Sequence, residues 1–196
     1  MNIGIFGGAF DPVHNGHLLL AEQCREQCEL DEVWFIPTRN PPHKEAGSLS
    51  PGRDRCEMLA LATAGVPEFV VKRVELDRDD VSWTVDTLRG ICETNQDDQL
   101  FLLIGADSLS DLPTWREPEA IAELAAIVAV NRGDSEPVCV DGLSPTIRDR
   151  VRFVTIPGVA ISATDIRTRI AKGRSIRFLV PRAVEQFIVE RGVYSS

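Results

Sequence analysis

Two histidines three residues apart, His14 and His17, stand close to the amino terminus and follow the glycine pair Gly7 and Gly8. Side chains at this spacing on a helix lie about 5–6 Å apart at their Cβ atoms, so both imidazoles can address one ligand. Imidazoles can hydrogen-bond phosphate oxygens and stabilise charge that develops on them. Adjacent glycines let backbone N–H groups approach a phosphate without a Cβ in the way. These residues predict a phosphate-binding turn; two solvated histidines at a helix start are the alternative.

A second group of polar residues, Ser162, Thr164 and Arg167, lies in the segment Ile161-Ser162-Ala163-Thr164-Asp165-Ile166-Arg167. Ser162 and Asp165 fit the Ser-x-x-Asp capping pattern, so helix capping alone would explain the hydroxyl. Arg167 lies one turn into the predicted helix, where a guanidinium can reach a polyphosphate held at the helix start. The segment predicts a second phosphate-binding helix start.

Both groups need strand-to-helix junctions to position them, and the hydrophobic pattern supplies these junctions. Apolar runs predict six strands, and continuous Val, Ile, Leu and Phe are typical of parallel strands buried on both faces. The predicted strands are Ile3–Phe6, Glu32–Pro37, Phe69–Val74, Leu100–Ile104, Ala126–Val130 and Arg152–Ile156. The predicted helices are Gly16–Cys28, Arg53–Ala64, Thr84–Thr94, Pro118–Leu124, Ala163–Ala171 and Pro181–Arg191.

This alternation predicts an α/β fold: a doubly wound, mainly parallel Rossmann-like sheet with helices on both faces. Residues 1–196 are expected to form one domain, with a helical carboxy-terminal part from about residue 162 to residue 196. In such sheets, ligands bind at the carboxyl ends of strands, which places Gly7–His17 at the expected site. The stretches Thr38–Pro51 and Asn131–Asp149 are predicted to be loops, the first long enough to suggest a functional role.

Composition excludes several classes of protein. The net charge of −9 argues against a general nucleic-acid binder. No apolar run is long enough for a membrane span, and no basic segment precedes the first strand as a signal peptide requires. Five cysteines without a Cys-x-x-Cys pair indicate free thiols and a cytoplasmic protein. The pattern Gly-x-x-x-x-Gly-Lys-Ser/Thr is absent, and Gly4…Gly7-Gly8 does not fit Gly-x-Gly-x-x-Gly.

The segment Gly7-Gly8-Ala9-Phe10-Asp11-Pro12-Val13-His14-Asn15-Gly16-His17 resembles the His-x-Gly-His signature of the nucleotidylyltransferase superfamily. The segment from Ile161 to Arg167 is similar to that superfamily's Ile-Ser-x-Thr-x-Ile-Arg motif. The resemblance implies that His14, His17 and Arg167 are catalytic. It implies ATP binding by Gly7, Gly8, Ala9, Phe10, His17, Gly105, Asp107, Ser162, Thr164 and Arg167.

Three further motifs bear on the acceptor of the nucleotidyl group. They are Pro41-Pro42-His43-Lys44, Ser82-Trp83-Thr84 and Pro113-Thr114-Trp115. Taken singly, the first would be an ordinary solvated loop, and Trp115 either a core residue or a ring that stacks on a ligand. As a set they resemble bacterial nicotinate-nucleotide adenylyltransferases across nearly the whole chain. The resemblance implies that Thr84 contacts the nicotinate carboxylate, Trp115 stacks on the pyridine ring, and Lys44 and Arg132 bind the substrate.

Three positions depart from that family's pattern. Ala9 stands where Thr is frequent, Trp83 replaces the commoner Tyr, and Gly133 rather than Pro follows Arg132. None of the three removes a group expected to be catalytic.

The sequence therefore predicts transfer of AMP from ATP to nicotinate mononucleotide, giving deamido-NAD and pyrophosphate. The sequence contains no cluster of carboxylates that would indicate a metal site built by the protein, so Mg²⁺ is expected to arrive with ATP. Neither nucleic acid nor a membrane is an expected partner, and homo-oligomerisation is left open. Nicotinamide mononucleotide or phosphopantetheine as acceptor, or a regulatory module that binds nucleotide without turnover, are the alternatives.

Overall fold

Six parallel strands form one sheet in the order β3-β2-β1-β4-β5-β6. The computed structural model describes residues 1–41, 49–133 and 140–195, except for the side chain of residue 132. The strands are β1 (Asn2–Gly8), β2 (Glu32–Pro37), β3 (Phe69–Val71), β4 (Gln99–Gly105), β5 (Ala126–Arg132) and β6 (Val151–Ile156). The reversal of strand order beside β1 creates a crevice at the carboxyl ends of β1 and β4, where ligands bind in such sheets.

Eight α-helices among the described residues connect and cover the strands. They are α1 (Asn15–Gln27), α2 (Gly52–Thr63), α3 (Thr84–Thr94), α4 (Ala106–Asp111), α5 (Pro118–Leu124), α6 (Pro145–Arg148), α7 (Ala163–Ala171) and α8 (Arg182–Arg191). A 3₁₀ turn, Leu112–Thr114, follows α4. The predicted doubly wound α/β fold is confirmed.

Successive side chains of the central strands pack alternately into two separate hydrophobic cores, one on each face of the sheet. Along β4, Leu100, Leu102 and Ile104 face the core covered by α3 to α6. Phe101 and Leu103 face the core covered by α1, α2, α7 and α8. Because both faces are buried, every position of such a strand must be apolar, which explains the continuous apolar runs.

The element boundaries differ from the predicted ones in a few places. The prediction that β3 continues to Val74 is wrong: the strand ends at Val71, and a turn begins in which the Asp77 N–H donates to the Arg73 carbonyl. The predicted loop Asn131–Asp149 is wrong at its start, since β5 continues to Arg132 and pairs with β6 there. It also contains α6, a helix of four residues. Helix α4 was not predicted, since six residues carry too little periodicity.

Four of the five cysteines lie in the described ranges, and all four are free thiols. Burial raises the pKa of Cys24 to about 12, so this thiol behaves as a small apolar core residue. No helix among the described residues is both long and apolar enough to cross a bilayer.

Candidate active site

The first turn places His14 immediately before α1 and His17 at its third position. The backbone N–H of His14 donates a hydrogen bond of 3.2 Å to Nδ1 of His17, the reciprocal half of a capping box. Since Nδ1 of His17 accepts this bond, the proton of the neutral ring is on Nε2. The helix cap therefore fixes the orientation of the His17 ring and favours the tautomer whose proton is on the distal nitrogen.

The two imidazole rings stack on one another. Their centroids are 3.6 Å apart and their planes differ by 18°. The Phe10 ring packs edge-on against the His17 ring, with 5.0 Å between the two ring centroids. Phe10 is buried and adopts a φ of 47°, in the left-handed region that non-glycine residues rarely occupy. The ring of Phe10 belongs to the core, so the ATP contact predicted for Phe10 would have to be made by its backbone.

Gly16 is required by the position of the His14 ring. A Cβ at Gly16 would lie 3.1 Å from Nδ1 and 3.2 Å from Cε1 of His14. A side chain there would crowd the His14 ring, which would have to shift by a few tenths of an ångström. The glycine of the His-x-Gly-His pattern thus has a steric cause in this chain.

The second motif forms the start of α7 as predicted. Ser162 is the N-cap, and its Oγ accepts a 3.1 Å hydrogen bond from the Asp165 N–H, which confirms the capping pattern. Thr164 Oγ1 accepts a 3.3 Å hydrogen bond from Nη2 of Arg167. The cap uses Ser162 as an acceptor, which leaves its O–H able to donate to a phosphate.

Arg167 links the second motif to the first. Its Nη1 donates a 2.7 Å hydrogen bond to the carbonyl oxygen of Asp11, 156 residues away in sequence. The two motifs therefore meet through a bond to the protein's own backbone.

A buried polar network supports this meeting point. The carboxylate of Asp11 accepts hydrogen bonds from the Tyr194 hydroxyl at 2.5 Å and from the Ser50 N–H at 3.1 Å. Arg55, almost fully buried on α2, donates to the carbonyl oxygens of Ala9 at 2.7 Å and Ser50 at 2.9 Å. Burial lowers the pKa of Arg55, and Asp11 partly offsets this; burial raises the pKa of Tyr194, and its bond to Asp11 adds to the increase.

The sequence analysis assigned no role to Asp11, Arg55 or Tyr194. A signal for Arg55 was present, because Arg55 precedes the buried residues Met58 and Leu59 by three and four positions. A charged side chain on the apolar stripe of a helix is expensive unless it has buried partners. No comparable signal marked Tyr194, whose partner is 183 residues away.

Two clefts open at the carboxyl ends of the strands. The histidine cleft, about 210 Å³, is lined by His14, Gly16, His17, Leu19, Leu20, Ile156, Val159, Ile161, Ser162 and Ala163. It contains residues of both motifs. The tryptophan cleft, also about 210 Å³, is lined by Gly7, Gly8, Thr38, Glu75, Ser82, Trp83, Thr84, Thr87, Thr114, Trp115, Arg116 and apolar side chains from the strands and helices.

The tryptophan cleft brings together two of the four residues predicted for the acceptor, Thr84 and Trp115. Trp115 follows the 3₁₀ turn after α4, and Thr84 is the first residue of α3. Trp83, the N-cap of α3, has an indole side chain that makes no capping bond, so the first N–H groups of this helix are not capped by that residue. The guanidinium of Arg116 lies 5.6 Å from the centre of the Trp83 ring and pairs with Asp86 at 3.3 Å.

The remaining predicted residues are only partly accounted for. Gly7 and Gly8 end β1, and a Cβ at Gly7 would meet nothing within 4 Å, whereas one at Gly8 would lie 3.1 Å from the Phe10 ring. Gly105 ends β4, and Asp107 stands exposed in the first turn of α4. Lys44 lies outside the described residues, as does the side chain of Arg132.

Glu75 is a lining residue of the tryptophan cleft that the sequence analysis missed. It lies on the connection between β3 and α3, is only 6% exposed, and its Oε1 accepts a 2.9 Å hydrogen bond from Thr87. Burial raises its pKa, partly offset by hydrogen bonding from Thr87 and Ser82 and by the charge of Arg78. Glu75 was missed because residues 69–74 were interpreted as one strand. A strand of that length would not direct the Glu75 side chain toward the cleft.

Within the described ranges, no group of three or more His, Cys, Asp and Glu side chains is positioned to hold a metal ion. A divalent ion with the nucleotide, as is general among nucleotidyltransferases, would have to take most of its ligands from phosphate oxygens and water.

Comparisons with known proteins place the chain in a family. The cytidylyltransferase-like family model matches residues 5–169. A protein of Thermomicrobium roseum named "Probable nicotinate-nucleotide adenylyltransferase" is 44% identical over 196 residues, which cover 99% of this chain and 92% of the relative. A Thermus thermophilus protein of the same name is 44% identical over 198 residues, covering 99% of this chain and all of the relative. The chain belongs to the nicotinate-nucleotide adenylyltransferases.

The fold of this adenylyltransferase is also that of a solved structure. The Plasmodium falciparum nicotinic acid mononucleotide adenylyltransferase complexed with NaAD superimposes with a TM-score of 0.79. The alignment covers 98% of this chain and 97% of the other at 20% identity. The predicted resemblance to the family is confirmed, whereas the roles of individual residues stay predictions.

Proposed function

We propose that this adenylyltransferase transfers AMP from ATP to nicotinate mononucleotide, giving deamido-NAD and pyrophosphate. The observation that carries the proposal is that residues of both phosphate motifs line one cleft: His14 and His17 from the first motif and Ser162 from the second. The tryptophan cleft meets the same turn through Gly7 and Gly8, so donor and acceptor sites adjoin.

ATP would bind along the histidine cleft with its phosphates toward His17, whose Nε2–H is the donor left by the helix cap. Ser162, Thr164 and Arg167 at the start of α7 would hold the β- and γ-phosphates, aided by the positive end of the helix dipole. Gly7, Gly8, Ala9 and Phe10 would contribute backbone N–H groups. Gly105 and Asp107 would contact the adenosine.

The acceptor would occupy the tryptophan cleft. The uncapped start of α3 offers N–H groups and the Thr84 hydroxyl to the carboxylate of the pyridine ring, and Trp115 offers a face on which the ring stacks. Lys44 and Arg132 would bind the acceptor's phosphate. Mg²⁺ would enter on ATP, where it would neutralise charge on the phosphates.

The reaction needs positioning and charge stabilisation and no covalent enzyme intermediate. An oxygen of the acceptor's phosphate forms a bond to the α-phosphorus in line with the bond that breaks. The electron pair of that breaking bond leaves with pyrophosphate. His14 and His17 would stabilise the extra negative charge on the α-phosphoryl oxygens, His17 through its Nε2–H, and the stacking of the two rings would hold the pair in place.

An acceptor panel tests this function. Purified protein, ATP and Mg²⁺ are incubated with nicotinate mononucleotide, nicotinamide mononucleotide or phosphopantetheine, while pyrophosphate is measured and the products are identified by mass. We expect the acid to be the preferred acceptor. Preference for the amide would contradict the assignments of Thr84 and Trp115, and ATP binding without pyrophosphate from any acceptor would support a non-catalytic module.

Two further proposals concern where and with what the enzyme works. The free thiols at Cys24 and Cys28 suit a reducing compartment, so we place the enzyme in the cytoplasm. Its partners would be ATP and the mononucleotide and not nucleic acid, since the net charge of −9 would repel a polyanion outside a built site.

A further inference from the structure

Arg55 is a buried cation that, in the described part of the chain, donates its hydrogen bonds to main-chain carbonyls rather than to carboxylates. It is 2% exposed and lies on α2, on the same stripe as the core residues Met58 and Leu59. Its Nη1 donates to the carbonyl oxygen of Ala9 at 2.7 Å, and its Nε to that of Ser50 at 2.9 Å. A buried guanidinium held by neutral groups costs folding free energy that an apolar side chain would not. Its presence therefore calls for a role beyond packing.

The bond from Arg55 to Ala9 fixes the direction of the next backbone N–H. The peptide bond between Ala9 and Phe10 is trans, and the C=O and N–H of a planar trans peptide point in opposite directions. Because the Ala9 carbonyl points toward the guanidinium on α2, the Phe10 N–H points to the other side of the turn. A rotation of this peptide plane would require the bond to Arg55 to break.

The Phe10 N–H is a buried donor without an acceptor in the described part of the chain. Phe10 is 2% exposed, and its N–H donates to none of the described main-chain or side-chain acceptors. Buried backbone N–H groups almost always have an acceptor. The φ of 47° at Phe10 is rare outside glycine and needs support from the surroundings. The Phe10 ring packs against His17, so this N–H is a donor beside the histidine pair that an anionic oxygen can use.

We propose that Arg55 is a positioning residue of the phosphate site: by holding the Ala9 carbonyl, it aims the Phe10 N–H at a phosphate oxygen of ATP. The inference rests on the proposed function and deepens it, since Arg55 belongs to neither motif. Arg55 lines neither the histidine cleft nor the tryptophan cleft, so it acts on ATP only from behind the turn.

The second bond of Arg55 explains why an arginine is needed. The Ser50 carbonyl accepts from Nε, and the Ser50 N–H donates to the Asp11 carboxylate at 3.1 Å. The planar guanidinium thus holds Ala9 and Ser50 in fixed directions at once. A lysine ammonium is a point charge on a flexible stem and cannot do this. Arg55→Lys therefore keeps the positive charge and removes the fixed direction of the Ala9 carbonyl.

The first test compares ATP with adenosine as ligands of the wild type and of Arg55→Lys. Calorimetric titration gives the Kd of ATP, and ligand-observed NMR gives the Kd of the weaker adenosine. We expect the Kd of ATP to rise about tenfold or more and that of adenosine to change less than about twofold, because adenosine has no phosphate for the Phe10 N–H. A merely structural role of Arg55 would weaken both ligands equally. Arg53→Lys, exposed on the same helix, is the matched control and should change neither Kd.

The second test removes the Phe10 N–H itself. A synthetic segment of residues 1–23, with an ester in place of the amide between Ala9 and Phe10, is joined by native ligation to the remaining chain, which begins with Cys24. We expect the ester to raise the Kd of ATP about tenfold when Arg55 is present. In the Arg55→Lys background it should add less than about twofold, because both changes remove the same contact. The wild type assembled by the same ligation is the reference.

Equal weakening of ATP and adenosine, no weakening of either, or two losses that multiply would overturn the role of Arg55 and leave the proposed function intact. A wild type that binds ATP but releases pyrophosphate with no acceptor would overturn the proposed function alone. A wild type that does not bind ATP would overturn both. If Arg55→Lys does not fold, Arg55→Met, which buries no charge, replaces it with the same expected result.

Discussion

Nη1 of Arg167 donates a 2.7 Å hydrogen bond to the main-chain carbonyl oxygen of Asp11. This bond joins the start of α7 to the turn after β1, the two segments proposed to hold the phosphates of ATP. Because the acceptor is a backbone atom, the geometry of the turn and the placement of the guanidinium depend on each other. The two segments are thus coupled to each other within the protein.

Arg167→Lys should keep the charge and lose this organisation. Lysine has no planar array of donors that can bind the Asp11 carbonyl, Thr164 and a phosphate together. We expect kcat/KM for ATP to fall about 10- to 100-fold. Steady-state kinetics at saturating acceptor measure this. Arg174→Lys, at an exposed position, is the control, and an equal loss there would contradict the assignment.

Gly16→Ala should disturb the histidine pair without unfolding the protein. The added Cβ would lie 3.1 Å from Nδ1 of His14, so the His14 ring must shift relative to His17, on which it stacks. We expect kcat to fall about tenfold or more, because the phosphate donors lose their placement. Gly90→Ala on α3 is a matched helical control with nothing within 4 Å of its Cβ. It should gain about 0.5–1 kcal/mol of stability and keep full activity.

Tyr194→Phe should destabilise the protein and weaken ATP binding together. The change removes the hydroxyl that donates to the buried Asp11 carboxylate and leaves one of its oxygens without that donor. We expect a loss of about 1–3 kcal/mol in the free energy of unfolding, measured by urea denaturation. Ser195→Ala at the neighbouring residue should leave stability unchanged. Equal free energies of unfolding for the two variants would show that the hydrogen bond from Tyr194 to Asp11 does not stabilise the protein.

The sheet and most helices were predictable because both faces of every central strand are covered. Apolar runs such as Leu100–Ile104 and amphipathic stretches such as Thr84–Thr94 each have one interpretation under that constraint. The end of β3 was not predictable, since Val74 follows Lys72 and Arg73 with no glycine or proline to mark an end of the strand. The chain turns there because of tertiary contacts: Arg39 donates to the carbonyl oxygens of Leu76 and Arg78.

The site was predictable where its residues are close in sequence and only there. His14, Gly16 and His17 form one turn, and Ser162, Thr164 and Arg167 form another, so spacing alone groups them. Asp11 and Tyr194 are 183 residues apart, and no local pattern relates them. Glu75 stands in a charged connection and differs from its exposed neighbours only through burial, which depends on the fold.

The free energy of unfolding should depend on pH through Glu75. Its folded-state pKa is raised above the ordinary value of about 4.3, so the folded state binds a proton more tightly than the unfolded state does. The resulting stabilisation is complete below the unfolded pKa and is lost as the pH rises through the folded pKa. The wild type should therefore lose stability relative to Glu75→Gln over this range. Urea denaturation of both proteins at about pH 4, 6 and 8 measures the difference. A difference independent of pH would contradict the raised pKa.

The central claim is that the Nε2–H of His17 stabilises the transition state on the ATP phosphates. His17→Asn tests it most directly, because the asparagine oxygen can accept the His14 N–H that Nδ1 accepts now, while the distal donor is lost. Turnover of ATP and nicotinate mononucleotide is followed by pyrophosphate release, with circular dichroism to confirm folding. We expect a folded protein whose kcat is lower by a factor of about 10² or more. A folded variant with near-normal kcat would contradict it.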